Sequence, residues 1–441
     1  MAELNFNPGD FVELRLAKDE MRGRVLESSD GSVLLLKLDS GYNIGIPKEN
    51  ILAGKVLRRF REEDKKQEVG DREQEAGKIG KEIGLRTKEG LKNIGLVITG
   101  GTIASKLDPR TGGVKWLTEV DEFIKFYPEL LNIVNIKKID VPFMIFSESM
   151  TSEYWIKIAE SVKKMLDDKE IEGVIVTHGT DFLGYTAAAL SFFFRDLGKP
   201  TVLTYSQRSI DRASSDASLN LQCAARMAIS DCAQVMLVGH ASINDDYCYA
   251  MSGTKTRKMH SSRRDAFKVI NDSPIAKVWA DKVEFLKEYK KRDDKKKGEL
   301  DVNFNDKIAL VKFYPGQDAS ILDFYVLKYK GIVVETSGLG HLPVSESGSN
   351  WLPTLKKHIR NGFVVCAAAQ TINGRLDPYV YSNGRELLDA GVIFLEDMLA
   401  ETAFVKLGWV LGHRGWIGKV KEKMLENFAG ELNERLGVEG F

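Results

Sequence analysis

From residue 93 onward, short uninterrupted apolar runs alternate with amphipathic segments, and this alternation constrains the fold more than any other feature. The apolar runs include IGLVITGG, GVIVTHG, TVLTYS and QVMLVGH, and the segments between them include SEYWIKIAESVKKMLDD and ASLNLQCAARMAIS. Strands that are apolar on both faces are typical of parallel sheets covered by helices on both sides. The sequence therefore predicts an α/β fold with a two-domain parallel-sheet core.

The first 54 residues have a different pattern, in which short strand-like segments are separated by turn pairs. Val12, Leu14 and Leu16 alternate with polar residues, and Asp30-Gly31 and Ser40-Gly41 are turn signals. This length and pattern predict a small β-barrel of the SH3 or Sm type. Such barrels bind RNA or proteins, or serve only as docking modules, and the sequence does not decide between these roles.

Two charged stretches divide the rest of the chain. Residues 55–92 are dominated by charge, which predicts a linker after the barrel at 1–54. The stretch 287–301 predicts a solvated loop between a larger α/β domain at 93–290 and a smaller one at 301–441. The smaller domain contains the strand-like runs KIALVKFYP, GIVVETSG and GFVVCAAAQ.

Charge and cysteine content exclude several classes of protein. Lys and Arg together number 63, and Asp and Glu together also number 63. The chain therefore has no net charge that would attract nucleic acid or an anionic membrane. The four cysteines form no C-x-x-C pair, which predicts reduced thiols rather than a disulfide or metal framework. No apolar run approaches the roughly 20 residues of a membrane helix, and the first residues lack a signal-peptide pattern. We expect a soluble, cytoplasmic protein without a metal.

Two loops that directly follow buried strands carry hydroxyl groups. Thr102 follows the glycine pair of VITGG, and Thr180 and Asp181 follow the strand GVIVT. In open parallel sheets, ligands bind beyond the carboxyl ends of the strands. Each loop alone is also compatible with an ordinary turn. There is no GxxxxGK[ST] phosphate loop, no complete dinucleotide fingerprint and no G-x-S-x-G nucleophile elbow.

The two loops, TGGTIAS and VTHGTD, resemble the signature motifs of the bacterial-type L-asparaginase family. Further similar segments are RKMHSSRRDAF at 257–267, TSGLGHLP at 336–343 and VYSNGRELLDAGVIFLEDMLAETAFVKLGWVL at 380–411. The resemblance covers about residues 93–412. It implies an asparaginase-like fold that removes ammonia from the side-chain amide of asparagine or glutamine.

The resemblance also implies roles for individual residues. Thr102 matches the threonine nucleophile, Thr180 and Asp181 match the pair of the second motif, and Lys258 matches the lysine that pairs with that aspartate. In the segment from Lys258 to Phe267, two serines and an Ala-Phe pair follow the lysine at a spacing similar to that of the family. This spacing favours Lys258 over Lys255.

The loop IFSESM supplies the remaining matches of the resemblance. Ser147 matches the serine that holds the substrate α-carboxylate, and Glu148 stands where the family contacts the α-amino group. Burial and a neighbouring carboxylate shift a lysine pKa in opposite directions, so its protonation stays open. His178 is predicted to be structural.

The sequence departs from the family at two places near the proposed site. Phe182 stands where the family often has threonine. No tyrosine follows the nucleophile as a second activator. Arg110 or Thr111 falls near that position, and the role stays unassigned.

The 90 or so residues before the first motif resemble the D-subunit branch of the family, from archaeal glutamyl-tRNA(Gln) amidotransferases. So do YSQRSIDRASSDASLNL and MSGTKTRKMHSSRRDAF. This resemblance implies that ammonia passes to an E subunit, which uses ATP and Mg²⁺ to convert Glu-tRNA(Gln) to Gln-tRNA(Gln). It also implies a homodimer core in an α2β2 heterotetramer, with no cofactor in this chain. A stand-alone asparaginase with an accessory domain and an inactive scaffold are the alternatives.

Overall fold

The computed structural model of the chain describes most of its residues, namely 6–26, 32–38, 43–59, 88–107, 114–116, 127–210, 212, 214–345 and 349–437. The predicted turn pairs Asp30-Gly31 and Ser40-Gly41 lie outside the described residues. The central part of the predicted linker and the alternative activators Arg110 and Thr111 lie outside them as well.

The N-terminal unit is a five-stranded antiparallel sheet with the order β4-β3-β2-β1-β5. Its strands are β1 (Phe11–Leu16), β2 (Glu20–Leu26), β3 (Val33–Leu38), β4 (Asn43–Pro47) and β5 (Ile51–Arg58). Val12 and Leu14 are fully buried, and Leu16 packs against the same core, as the alternating pattern predicts. The small antiparallel β unit predicted for this region is therefore present.

Strand β5 crosses the boundary that the sequence predicts between residues 54 and 55. Val56 pairs with Val12 and Arg58 pairs with Phe11, so the first four residues assigned to the linker belong to the sheet. The charged composition of KVLRR hid this strand, because its polar side chains face solvent while Val56 packs against the core.

The larger α/β domain is built on an eight-stranded sheet with the order β18-β17-β14-β13-β12-β10-β6-β9. The five strands from β13 to β9 in this order run parallel, and the other three are added antiparallel. The described strands of the domain include three two-stranded pairs outside this sheet, β7–β8, β11–β19 and β15–β16. Their bounds are β6 (Asn93–Ile98), β7 (Ser105–Leu107), β8 (Val114–Trp116), β9 (Asn135–Asp140), β10 (Gly173–Thr177), β11 (Phe194–Arg195), β12 (Thr201–Thr204), β13 (Val235–His240), β14 (Cys248–Ser252), β15 (Thr256–Lys258), β16 (Phe267–Val269), β17 (Ala276–Val278), β18 (Val283–Phe285) and β19 (Glu299–Leu300).

Three helices, α1 (Ser152–Leu166), α2 (Leu183–Phe193) and α3 (Ala217–Ala228), cover this sheet. Helices α1 and α2 belong to one hydrophobic core and α3 belongs to another, so the sheet is covered on both faces. Strands β6, β10 and β12 are almost completely buried for this reason. The predicted α/β fold with a parallel-sheet core is confirmed.

The smaller domain has a four-stranded parallel sheet with the order β20-β21-β22-β23. Its elements are β20 (Ile308–Lys312), α4 (Ile321–Lys328), β21 (Gly331–Thr336), α5 (Leu352–Arg360), β22 (Val364–Ala369), α6 (Ser382–Asp389), β23 (Ile393–Phe394), α7 (Ala400–Gly412) and α8 (Val420–Leu425). The described residues contain no helix with the length and apolarity needed to cross a membrane.

Helix α7 joins the two domains. It packs against α2 of the larger domain and against β20 and β21 of the smaller domain. Trp409 on α7 is fully buried and stacks on Phe192 with ring centroids 5.6 Å apart. Because one hydrophobic core contains side chains of both domains, the two α/β units pack as a continuous body.

The charged stretch 287–301 has many exposed residues, as its prediction as a solvated loop requires, and its backbone also pairs with the larger domain. Ala233 N donates to Lys290 O at 2.7 Å, and Arg292 N donates to Asp231 O at 2.6 Å. Strand β19 pairs with β11, and the Arg292 side chain bonds two backbone carbonyls. Composition indicates solvation of the charged side chains, but it does not exclude backbone pairing to a neighbouring segment.

Candidate active site

The loop after β6 carries Thr102 at the carboxyl edge of the larger sheet. Gly100 and Gly101 adopt φ angles of 115° and 82°, a region that favours glycine. The chain then forms a short 3₁₀ turn over Thr102–Ala104, which leaves Thr102 half-buried. Ser105 Oγ donates to Gly101 O at 2.7 Å and closes the turn. The glycine pair thus turns the backbone so that the threonine side chain lies at the sheet edge.

The loops after β6 and β10 approach each other at backbone distance. A Cβ atom on Gly101 would lie 2.4 Å from Gly179 N, so only glycine fits there. A Cβ atom on Gly179 would in turn lie 2.9 Å from both Cβ and Oγ of Ser147. Thr99 and Thr177, at the ends of the two strands, are joined because Thr99 Oγ1 donates to Thr177 O at 2.8 Å. Three loops therefore converge at one place.

Lys258 joins the two residues of the second motif. Its Nζ donates to Thr180 Oγ1 and to Asp181 Oδ1, each at 2.8 Å. The Lys258 side chain is 15% exposed and that of Asp181 is 58% exposed. Thr180 is buried. The predicted Thr180, Asp181 and Lys258 thus form one hydrogen-bonded group at the mouth of the site.

Lys255, the competing lysine of the same segment, lies in a different environment. Its Nζ donates to Asp397 Oδ2 at 2.6 Å, and both side chains are completely buried. A lysine held in this way is not available to the loops that carry Thr102 and Thr180. The geometry agrees with the choice of Lys258 over Lys255.

Ser147 and Glu148 stand in a short 3₁₀ turn that follows β9. Ser147 is buried, and its Oγ accepts a hydrogen bond from Asp181 N at 3.1 Å. Glu148 is exposed in the same turn. The loop is attached to the nucleophile loop because Ile145 N donates to Thr99 O at 3.2 Å. All six predicted site residues therefore lie on loops or strands that meet at this edge.

His178 is fully buried, and both of its ring nitrogens are engaged. Nδ1 lies 2.6 Å from Gly179 O, which can only accept, so Nδ1 carries the proton. Nε2 therefore accepts from Thr186 Oγ1, 2.9 Å away on α2. Burial lowers the pKa of His178 to about 4. This arrangement is that of a neutral structural histidine.

The loop after β12 forms a fourth strand-end segment, and none of the predicted site residues lies on it. His178 N donates to Thr204 O at 3.0 Å, which places this loop beside the second motif. Gln207 Nε2 and Ser209 Oγ are buried and have no hydrogen-bond partner in the described part of the chain. The signal that could have indicated this loop is its position directly after a buried parallel strand.

The arrangement fits nucleophilic attack assisted by proton transfer. A hydroxyl in a glycine-lined turn, a lysine and a carboxylate are the components of an activated oxygen nucleophile. Among the described residues, no group of His, Cys, Asp and Glu is arranged to hold a metal ion.

Comparison with known proteins places the chain in a family. Residues 93–291 match the family described as Asparaginase, N-terminal, and residues 307–424 match the Glutaminase/Asparaginase C-terminal domain. Residues 6–57 match the GatD N-terminal domain. The D subunit of glutamyl-tRNA(Gln) amidotransferase from Pyrococcus abyssi is 47% identical, over 98% of this chain and 96% of that protein. The chain belongs to the family of these D subunits.

Other relatives support the same family membership. The corresponding D subunit from Methanococcus maripaludis is 41% identical over 98% of this chain and 99% of that protein. The solved L-asparaginase of Thermococcus kodakarensis superposes with a TM-score of 0.68 at 29% identity. The superposition covers 78% of this chain and 100% of that structure. The D-subunit relatives therefore span the N-terminal unit as well, and the resemblance inferred from the motifs is confirmed.

The contact between Gly101 and Gly179 predicts that Gly101→Ala disrupts the site. The new Cβ would overlap the backbone of Gly179 in a φ region that L-residues rarely adopt. We expect ammonia release to fall by roughly 100-fold, because a displacement of about 1 Å has that effect. Gly362→Ala is the matched control, since Gly362 has a φ of 89° and no atom lies within 4 Å of the position that an alanine Cβ would occupy. Equal activity of the two variants would contradict the proposed contact.

The burial of neutral His178 predicts a component of the pH dependence of stability. The pKa of His178 is about 4 in the folded state and about 6.5 in the unfolded state. At pH values between 4 and 6.5 the unfolded state therefore binds a proton that the folded state does not bind. The free energy of unfolding should therefore fall as pH decreases from 6.5, by about 3 kcal/mol below pH 4. Denaturant unfolding of the protein and of His178→Asn from pH 7 to 4 measures the difference. Parallel pH profiles of the two proteins would exclude this contribution.

Proposed function

We propose that this chain is the ammonia-releasing subunit of a tRNA-dependent amidotransferase. It hydrolyses the side-chain amide of asparagine or glutamine and supplies the ammonia to a partner that amidates Glu-tRNA(Gln). The observation that carries the proposal is the hydrogen-bonded group of Lys258, Thr180 and Asp181 beside the loop of Thr102. The family of the chain supports the same conclusion.

The first half of the reaction forms an acyl-enzyme. Thr102 Oγ1 attacks the side-chain carbonyl carbon, and its proton moves to Lys258, which must be neutral at that moment. Thr180 Oγ1, bonded to Lys258 Nζ, supports a relay, and Asp181 holds the lysine in place. Backbone N–H groups of the glycine-containing loops stabilise the oxyanion, typically by about 3 kcal/mol per donor.

The second half returns the enzyme to its starting state. The carbon–nitrogen bond breaks, and the amide nitrogen takes the proton from Lys258 and leaves as ammonia. Water then attacks the ester on Thr102, and aspartate or glutamate is released. Ser147 and Glu148 bind the α-carboxylate and α-ammonium groups, which keeps the substrate in register with Thr102 through both steps.

The coupling to tRNA requires a partner chain. An E subunit, with ATP and Mg²⁺ bound to it, activates and amidates Glu-tRNA(Gln), and this chain needs no cofactor of its own. We further propose a homodimer core within an α2β2 heterotetramer in the cytoplasm. The presence of the N-terminal unit in the D-subunit relatives favours an amidotransferase subunit over a stand-alone asparaginase, because the solved L-asparaginase covers only 78% of the chain.

The deciding experiment measures ammonia release from asparagine and from glutamine by the purified full chain. The same assay is repeated with the E subunit, and then with the E subunit and Glu-tRNA(Gln). We expect weak release by the chain alone and a sharp rise in the complete system, with Gln-tRNA(Gln) as product. Full release by the chain alone, unchanged by the additions, would identify a stand-alone asparaginase.

The nucleophile assignment predicts the effect of Thr102→Ala. Without the hydroxyl no acyl-enzyme forms, so ammonia release in the complete system should fall by at least about 10³-fold. Thr102→Ser keeps a hydroxyl and should retain measurable release. Circular dichroism and binding to the E subunit should be unchanged for both variants, because Thr102 is only half-buried in a surface turn. Near-normal turnover by Thr102→Ala would assign the nucleophile to another residue.

A further inference from the structure

The segment that carries Lys258 belongs to the larger domain in sequence but is attached to the smaller domain. Thr402 Oγ1, on α7, donates to Thr254 O at 2.7 Å. Arg257 pairs with Glu401 of the same helix at 3.2 Å. Arg257 and Lys258 are consecutive in β15, so their side chains point to opposite sides of the strand. One side of the strand therefore contacts α7, and the other side presents Lys258 to Thr180 and Asp181.

A further attachment is the buried ion pair between Lys255 and Asp397. Both side chains have no exposed surface, and Lys255 Nζ lies 2.6 Å from Asp397 Oδ2. Burial lowers the pKa of Lys255, and the carboxylate of Asp397 opposes this shift. Displacement of either residue would leave an unpaired buried charge, which is strongly unfavourable. The pair therefore fixes the start of β15 relative to the smaller domain.

The C-terminal segment completes this attachment. Asn433 donates from its backbone N to Asp397 Oδ1 at 3.0 Å and from Nδ2 to Asp397 Oδ2 at 2.8 Å. Ala429 O accepts a hydrogen bond from Thr254 Oγ1 at 3.1 Å. This segment lies beyond residue 424, where the match to the C-terminal family domain ends. The carboxylate of Asp397 is thus held from two directions.

We propose that Lys255, Asp397 and Asn433 are positioning residues that hold β15 so that Lys258 reaches Thr180 and Asp181. The inference rests on the proposed function, in which Lys258 moves the proton of the nucleophile. Thr102, Ser147 and Thr180 stand on loops of the larger sheet. The cited hydrogen bonds of Ser147 and Thr180, and the bond that closes the turn of Thr102, do not involve this ion pair. Weakening the pair displaces the lysine and leaves the substrate-binding loop in place.

If the ion pair positions Lys258 and not the substrate-binding loop, weakening it should lower kcat and leave KM nearly unchanged. Asp397→Asn in the full chain, assayed with the E subunit and Glu-tRNA(Gln), should lower kcat for ammonia release roughly 10- to 100-fold. The KM for the amide substrate should change by less than about twofold, because Ser147 and Glu148 are unaffected. An effect on folding alone would lower the melting temperature but leave kcat per folded molecule unchanged.

The chain contains a matched control for this test. Asp301 and His413, at the C-terminal end of α7, form another largely buried pair, with His413 Nε2 2.8 Å from Asp301 Oδ2. Neither residue touches the segment from Thr254 to Lys258 through a hydrogen bond in the described part of the chain. Asp301→Asn should therefore reduce the melting temperature while kcat per folded molecule stays at the wild-type value.

Three outcomes would overturn the inference. They are an unchanged kcat in Asp397→Asn, an equal loss of kcat in Asp301→Asn, and a rise in KM that accounts for the loss. If Asp397→Asn does not fold, Asn433→Ala takes its place. It removes the hydrogen bond from Asn433 Nδ2 to Asp397 and leaves the ion pair intact, and the same criteria apply. Lys258→Ala separates the two proposals. Full activity of Lys258→Ala refutes the role of the lysine. If Lys258→Ala is inactive but Asp397→Asn has a normal kcat, only the positioning role is refuted.

Discussion

The site depends on the close approach of two backbones at the carboxyl edge of the larger sheet. Strands β6 and β10 are parallel neighbours in register, so their following loops leave the sheet side by side. The loops can meet only because Gly101 and Gly179 have no side chains, and the space next to Gly179 is filled by Ser147. A parallel sheet brings such loops together in any sequence, but contact at this distance requires glycine at specific positions. The hydroxyl groups of Thr102 and Thr180 owe their common location to this packing.

The lysine of the site has a different structural origin. Lys258 lies on a hairpin that packs against Tyr205 of the larger domain and is also bound by helix α7 and the C-terminal segment. The smaller domain therefore contributes to the position of the lysine. Buried ion pairs are weak evidence for stability, because well-packed apolar residues often stabilise a protein equally well. The ion pair Lys255–Asp397 is better explained by the geometry that it imposes than by a gain in stability. An ion pair with hydrogen bonds from Asn433 tolerates fewer arrangements than an apolar contact does.

The features that could be predicted from the sequence were those encoded in short segments. Apolar runs identified the parallel strands, and the motifs around Thr102 and Thr180 identified the loops that meet. Lys258 could be chosen by its spacing to neighbouring residues. Strand β5 was not predicted in full, because the charged side chains of Lys55 and Arg58 conceal a strand that pairs with β1. The partner of Lys255 lies 142 positions away in sequence, and no local pattern indicates that Asp397 is buried beside it.

Lys255 and Lys258 show why residue type and spacing alone do not determine a role. They stand three positions apart, and each donates a 2.6–2.8 Å hydrogen bond to a carboxylate. Lys255 and Asp397 are completely enclosed, so neither can exchange a proton with substrate or water, and their charges serve only to fix the chain. Lys258 is partly exposed and its carboxylate partner is largely exposed, so a proton can enter and leave during a reaction. The same pair of residue types is structural in one place and, in the mechanism that we propose, reactive in the other, because burial controls proton access.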